Sequence, residues 1–334
     1  MRILVTGGAG YIGSQTVHHM LDNGHDVWVL DNFYSGHAWA VAENAKLIEG
    51  DIADSGLVNT ILSANNIEGV VHFAGHIVVP ESVSDPFKYY QNNVVGSLKL
   101  LQCCIDNDIR HFVFSSSAAV YGMPDISPVT ESMPTQPINP YGNTKLITEM
   151  SLQDAAGSFI NKRDFNFIAL RYFNAAGAAF SGELGQATPN ATHLIKVACE
   201  AACGARDGMA IYGEDYPTPD GSCVRDYIHI EDLAQAHIDA LAYLEKGGTS
   251  HSLNCGYGQG YSVKQVIDTV KKVSGVDFPV SIEGRRAGDP PELIADNSKI
   301  REVLGWMPKF NSLETICETA YSWEKTWQVR KHQS

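Results

Sequence analysis

The chain opens on a short apolar run, Arg2-Ile-Leu-Val-Thr6, which breaks at glycines and passes into helical spacing through about Asn23. A second apolar run, Val27-Trp-Val-Leu30, ends in Asp31, and a third, Lys46-Leu-Ile-Glu-Gly50, leads to Asp51-Ile52. After another helical stretch, Gly69-Val-Val-His-Phe73 forms a fourth and closes on Ala74-Gly75. Tyr89, Tyr90, Val94, Val95, Leu98, Leu100 and Leu101 then predict one long helix over 85–108. A fifth run from His111 meets Ser115-Ser116-Ser117, and a sixth, 165–171, follows a helix that opens near Tyr141. Apolar runs alternating with helices predict an α/β fold with a parallel, doubly wound sheet, its ligands beyond the strands' carboxyl ends.

Beyond residue 172 the alternation fades. Gly- and Ala-rich loops, the segment 216–222 and helices near 231–245, 263–273 and 312–328 predict a smaller mixed α/β C-terminal lobe. The expected division is one domain over 1–172 and a second lobe over 173–334, interlocked because no Pro- or Ser-rich linker parts them. Asn311-Ser-Leu-Glu314 reads as a capping box for the last helix, whose Leu313, Ile316, Ala320, Trp323 and Trp327 fall at helical spacing and belong to packing.

Composition narrows the chemistry. A chain of 334 residues, 44% hydrophobic and 19% charged, has material for a large core. Its net charge of −14 and lack of a basic run argue against nucleic acid, so a phosphate-bearing ligand needs a locally positive pocket. Seven cysteines, including the pair Cys103-Cys104, show no C-x-x-C, and twelve histidines show no H-E-x-x-H. Neither a metal nor a disulfide framework is expected, and buried thiols suit a reducing cytoplasm. The first residues enter a strand rather than a signal peptide, and no run reaches the roughly 20 apolar residues of a membrane span. A cytoplasmic protein is the expectation.

Thr6-Gly7-Gly8-Ala9-Gly10-Tyr11-Ile12-Gly13 is G-x-x-G-x-x-G between a strand and a helix, a loop whose backbone N–H groups and helix dipole face a pyrophosphate. Gly7 permits the turn, Gly10 close phosphate approach, and Gly13 close packing of helix on strand. Asp31, about twenty residues on, is placed to hold ribose hydroxyls and, with Asn32, favours NAD over NADP by repelling a 2′-phosphate. Asp51 and Ile52 are expected to flank the adenine, and Phe73-Ala74-Gly75 to pass close to the cofactor. These features make the first domain a Rossmann domain.

The reacting groups are sought at the Ser run and at Tyr141-Gly-Asn-Thr-Lys145. If Tyr141 opens a helix, Lys145 lies one turn on and its ammonium favours the phenolate. Moving a phenol from a pKa of about 10 to neutrality takes roughly 4 kcal/mol. A desolvated lysine together with a second cation, such as an oxidised nicotinamide, can supply it.

With TGGAGYIG, Asp31-Asn32 and YGNTK stand FSSSAAVYG (114–122), LRYFNAAGA (170–178), VRDYIHIEDLA (224–234) and RRAGDPP (285–291). On these motifs the chain resembles, over nearly its whole length, the extended short-chain dehydrogenase/reductase family and its UDP-glucose 4-epimerase branch. The resemblance implies an isomerase of galactose and carbohydrate metabolism that epimerises C4 of UDP-glucose and UDP-galactose through a transient 4-keto sugar. It implies NAD held by Gly7, Gly10, Tyr11, Ile12, Gly13, Asp31, Asn32, Asp51, Ile52, Phe73, Ala74, Gly75, Asn92, Ser115, Tyr141, Lys145 and Phe173. Tyr141 becomes the base and acid, with Lys145 tuning it and Ser117 bonding the sugar O4. Asn174, His193, Ala210, Tyr212, Arg225, Arg286 and Leu293 become the UDP-sugar residues, and helices near 85–108 and 141–158 a homodimer interface.

The chain departs from the branch twice. Many members carry Lys two residues after the Phe-Ala-Gly turn, where this chain has His76-Ile77, and a position that is often Asn is His193. Related nucleotide-sugar 4,6-dehydratases place an Asp-Glu pair where this chain has Ala118-Ala119, so elimination lacks its acid. A non-catalytic NAD-sensing protein would have no use for both Tyr141 and Lys145. UDP-N-acetylglucosamine and UDP-pentoses stay open as alternative substrates.

Overall fold

The computed structural model describes residues 1–158, 164–189, 191–286 and 288–331. Ala287 of the 285–291 motif and residues 332–334 of the expected second lobe lie outside them. The first half runs β1 (Arg2–Thr6), α1 (Tyr11–Asp22), β2 (Asp26–Asp31), β3 (Lys46–Glu49), α2 (Ser55–Ala64), β4 (Gly69–His72), α3 (Val79–Ser84), α4 (Pro86–Tyr89), α5 (Gly96–Asp106), β5 (His111–Ser117), α6 (Pro140–Gly157) and β6 (Asn166–Tyr172). The second runs β7 (Asn174–Ala176), α7 (Leu194–Ala202), β8 (Met209–Tyr212), β9 (Val224–His229), α8 (Ile230–Glu245), β10 (His251–Cys255), β11 (Gly260–Ser262), α9 (Val263–Ser274), β12 (Val280–Glu283), β13 (Glu292–Leu293), α10 (Ser298–Leu304) and α11 (Leu313–Lys331).

Seven parallel strands form the central sheet in the order β10-β6-β5-β4-β1-β2-β3. From β1 the chain steps outward to β2 and β3, then returns to set β4 on the other side of β1, so the direction of winding reverses there. Both faces are covered, which is why the strands read as unbroken apolar runs. Ile3, Val5, Val71, Val113 and Ile168 face one core with Val17 and Leu233, while Leu4, Val70, Phe112 and Phe167 face the other with Val58, Leu100 and Leu152.

The seventh strand and a helix of the covering layer come from beyond residue 172. α8 packs on α1, β5 and β6, and β10 pairs with β6 from His251 opposite Ile168 to Cys255 opposite Tyr172. The remaining elements form a β11-β9-β13 sheet with β7 on β9, a β8–β12 pair, a packed group of α7, α9 and α11, and α10 against α8 and β10. Buried Asp226 fastens this lobe, accepting from the amides of Tyr257 (3.0 Å), Gly258 (2.9 Å) and Ala295 (3.2 Å). Desolvation outweighs those hydrogen bonds and pushes its carboxyl up to about 6.

Two local expectations are corrected. The long helix over 85–108 carries a π-helical segment, Tyr90–Val95, between α4 and α5. Its extra residue per turn lets Asn92 line the cleft while Asn93 clasps the backbone of His76, accepting from its N–H (2.8 Å) and donating to its carbonyl (3.0 Å). The last helix is capped by Ser312 rather than Asn311: its hydroxyl accepts from Thr315 N and its carbonyl from Ile316 N, and Glu314 instead pairs with Lys272 at 2.8 Å. The helix spacing is as expected, with Leu313, Ile316 and Trp323 buried.

Candidate active site

A cleft of about 1130 Å³ opens along the strand carboxyl ends. Every expected cofactor residue except Asp51 lines it. The glycine loop is tight against the sheet: Gly7 has φ +72°, and a Cβ there would lie 2.6 Å from Ala74 N. At Gly13 a Cβ would lie 2.2 Å from Gly7 O, so helix and strand could not approach as they do. Asp31 braces the loop, its carboxylate accepting from Ala9 N (2.9 Å) and Phe33 N (2.8 Å). Backbone donors with no side chains in the way, and an acid at the next strand end, fit a dinucleotide. Asp51, between the lining residues Gly50 and Ile52, is exposed, and its carboxylate accepts from Asn32 Nδ2 (2.9 Å) and Ala53 N (2.8 Å).

At the middle of the cleft, strand alternation sorts the three serines. Ser115 and Ser117 line the cleft, while Ser116 turns inward and bonds Glu149. Asn139 caps α6 by accepting from Gly142 N (2.8 Å), with Pro140 in the first turn, which sets Tyr141 at the helix entrance and Lys145 one turn deeper. Both are buried. Burial pushes the Tyr141 phenol up, and its hydrogen bond with Ser117 opposes this. Lys145 Nζ donates to Ser115 O (2.7 Å), and burial lowers its ammonium to about 8 against the pull of Glu149. In the chain alone, therefore, the phenol is protonated and awaits a further positive charge.

Behind this wall lies a buried network. Glu149, one turn beyond Lys145, takes Arg171 in a fork, with Nη2 at 2.6 Å and Nε at 3.0 and 3.1 Å. Arg171 Nη1 reaches Tyr121 Oη (3.0 Å), which donates to Asn254 Oδ1 (2.7 Å). The network ties α6, β6, the turn after β5, and β10 into one unit.

The far half of the cleft is lined by Asn174, His193, Arg225, Arg286 and Leu293. Leu293 pairs with Arg225 in the β13–β9 register and packs against a cluster of Val120, Val129 and Phe173. Arg225 Nη2 lies 3.7 Å from Asp289, and the Arg286 guanidinium 3.6 Å from the Tyr212 ring centre. Ala210 and Tyr212 are both on β8, outside the lining of the cleft, with Tyr212 one layer back as a platform for Arg286.

Sequence reading missed Tyr34, Tyr172, Gln186, Thr188 and Asp289, all in the lining. Tyr172 and Asp289 sit inside motifs already noted, so adjacency could have found them. Gln186 carries no local signal.

The parallel sheet, the glycine loop at its carboxyl edge and the cleft beyond it are those of a Rossmann-type dinucleotide-binding enzyme. The chain belongs to the NAD dependent epimerase/dehydratase family, whose model matches residues 3–256. It is 50% identical to a UDP-glucose 4-epimerase of Azospirillum brasilense over 325 residues, 97% of this chain and 92% of that one. The crystal structure of a UDP-glucose 4-epimerase from Brucella ovis in complex with NAD superposes with a TM-score of 0.92 at 43% identity, covering 96% of this chain and 97% of that one. A UDP-Glc/GlcNAc 4-epimerase from Campylobacter jejuni gives a TM-score of 0.85 at 47% identity over 97% of this chain and 99% of that one.

Proposed function

We propose that this chain interconverts UDP-glucose and UDP-galactose by NAD-dependent epimerisation at C4 through a transient 4-keto sugar. The observation that carries this reading is the wall where Ser117, Tyr141 and Lys145 meet, with Ala118 and Ala119 beside Ser117 and no carboxylate there to drive elimination. Bound in the glycine-loop half, NAD supplies a hydride acceptor that becomes the donor for the return. Tyr141 takes the O4 proton and gives it back, Ser117 holds O4, and Lys145 keeps positive charge beside the phenol. Arg225 and Arg286 give a diphosphate the local positive field that a chain of net charge −14 otherwise withholds. Held there, the 4-keto sugar can swing about its phosphate linkage and present its opposite face.

Leu293 sets the sugar range. It is shorter than Tyr and lacks a hydroxyl, so N-acetylated sugars should react, more slowly than the parent hexoses. The Campylobacter jejuni relative, named for both sugars, supports this. The resemblance further implies a cytoplasmic homodimer; among the described residues no helix is long and apolar enough to cross a membrane. Phe87, Leu98 and Met150 are exposed on α4, α5 and α6, within the stretches 85–108 and 141–158 that the resemblance assigns to a second copy.

The test is turnover of UDP-glucose, UDP-galactose, their N-acetylated forms and UDP-xylose with no added NAD. Interconversion of the hexoses by protein that carries nicotinamide absorbance is expected. NADH released in step with turnover would contradict it.

A further inference from the structure

Gln186 and His193 both line the cleft, and Gln186 Nε2 lies 2.7 Å from His193 Nδ1. An amide nitrogen only donates, so Nδ1 accepts and the single proton of a neutral imidazole sits on Nε2. Nε2 has no hydrogen-bond partner among the described residues and is not among their buried, unsatisfied atoms, so it is accessible from the cavities that the ring lines, the cleft among them. Burial lowers the ring's pKa, which keeps it neutral.

The pair is held from behind. Gln186 is itself buried, and its carbonyl accepts from Trp323 Nε1 (3.2 Å). The next carbonyl, Ala187 O, meets His37 Nε2 at 3.2 Å. The His193 carbonyl accepts from Val197 N (2.9 Å) in the first turn of α7, so α7 fixes the backbone and Gln186 fixes the ring.

We propose that Gln186 is a positioning residue that holds His193 as its Nε2–H tautomer, presenting a neutral donor to the acceptor oxygens of the nucleotide diphosphate. The opposite tautomer would aim a lone pair at the same oxygens. This rests on the UDP-sugar reading above, and it gives a reason for histidine to serve where the resembling enzymes often carry Asn: the glutamine gives the ring the fixed donor that an amide has by itself.

The experiment uses the NAD-loaded enzyme, UDP-galactose kinetics, UDP titration and two-bond nitrogen–proton spectra of histidine-labelled protein. Wild type should show the Nε2–H pattern at His193, and Gln186→Leu a mixture. Gln186→Leu should raise KM and the UDP Kd by the inverse of the fraction of rings left as Nε2–H, about twofold for an even mixture, with kcat and bound NAD unchanged. In a His193→Asn background, whose amide has no tautomer to set, the same substitution should leave KM and the UDP Kd unchanged. An equal cost in both backgrounds would assign Gln186 to packing and overturn the proposal. So would an Nδ1–H pattern in a wild type that turns over UDP-galactose normally, an outcome that leaves the epimerase reading standing. A wild type that neither binds UDP nor turns over would remove that reading and this proposal with it.

Discussion

The cofactor half of the cleft draws on neighbouring strand ends: the loop after β1, Asp31 at the end of β2, and Phe73-Ala74-Gly75 after β4. The substrate half draws on residues scattered from Asn174 to Leu293, on β7, the start of α7, β9, the loop before β13, and β13 itself. The first is largely backbone, where what matters is that no Cβ stands between Gly7 and Ala74 or between Gly13 and Gly7. The second is made of side chains, two of them arginines already engaged with Asp289 and Tyr212. A backbone site tolerates few residues at each position and keeps one ligand. A side-chain site can be retuned one residue at a time, so substrate range should vary within a family that keeps its cofactor.

The reacting wall lies between the halves, and its loss should spare both. Tyr141→Phe should lower kcat by about 10² to 10⁴, the usual contribution of a general acid–base group, while UDP and NAD still bind. Activity within tenfold of wild type, measured by coupled assay, would move the proton transfer elsewhere.

The layer behind the wall serves both halves equally. Glu149→Gln leaves the buried Arg171 guanidinium without its counter-charge, and breaking such a pair costs about 3–5 kcal/mol. Urea unfolding should register that loss. A shift below about 1 kcal/mol would show that the two halves are held together by something other than this network.

Arg286→Leu separates the halves most cleanly. Losing a charge-assisted contact of about 1.5–3 kcal/mol should raise the KM for UDP-galactose roughly 10- to 150-fold, with nicotinamide content per chain unchanged. If bound NAD falls in parallel, the two sites are not independent.

The smallest effect is expected at Leu293. Steric discrimination of one group is worth about 1–3 kcal/mol, so Leu293→Tyr should shift the kcat/KM ratio of UDP-galactose to UDP-N-acetylgalactosamine by about 5- to 150-fold toward the parent sugar. An unchanged ratio would make Leu293 part of the Val120–Phe173 packing cluster and no more.

Much of the cofactor half was legible in the sequence because its rules are local. Strand-turn-helix spacing places Gly7, Gly10 and Gly13, the period of two sends Ser115 and Ser117 to one face, and helical spacing sets Lys145 under Tyr141. The π-helical segment at Tyr90–Val95 was not legible, since the apolar positions on either side fit an ordinary helix, and only the docking of Asn93 on the His76 backbone selects the extra residue. Nor was the cap at Ser312, where two adjacent residues are both good caps and Glu314 was drawn to Lys272.

The sequence by itself therefore determined the parallel sheet, the glycine loop between β1 and α1, and the spacing of Ser117, Tyr141 and Lys145, because backbone geometry and side-chain period act over a few residues. Only the tertiary structure decided that β10 completes the sheet, that Glu149 meets Arg171, that Tyr212 stacks against Arg286, and that Gln186 lies against His193. Most of those pairings join residues far apart in the chain, and even the nearer pair depends on the surrounding packing. They are fixed by which surfaces bury each other, a property of the whole core rather than of any stretch of chain.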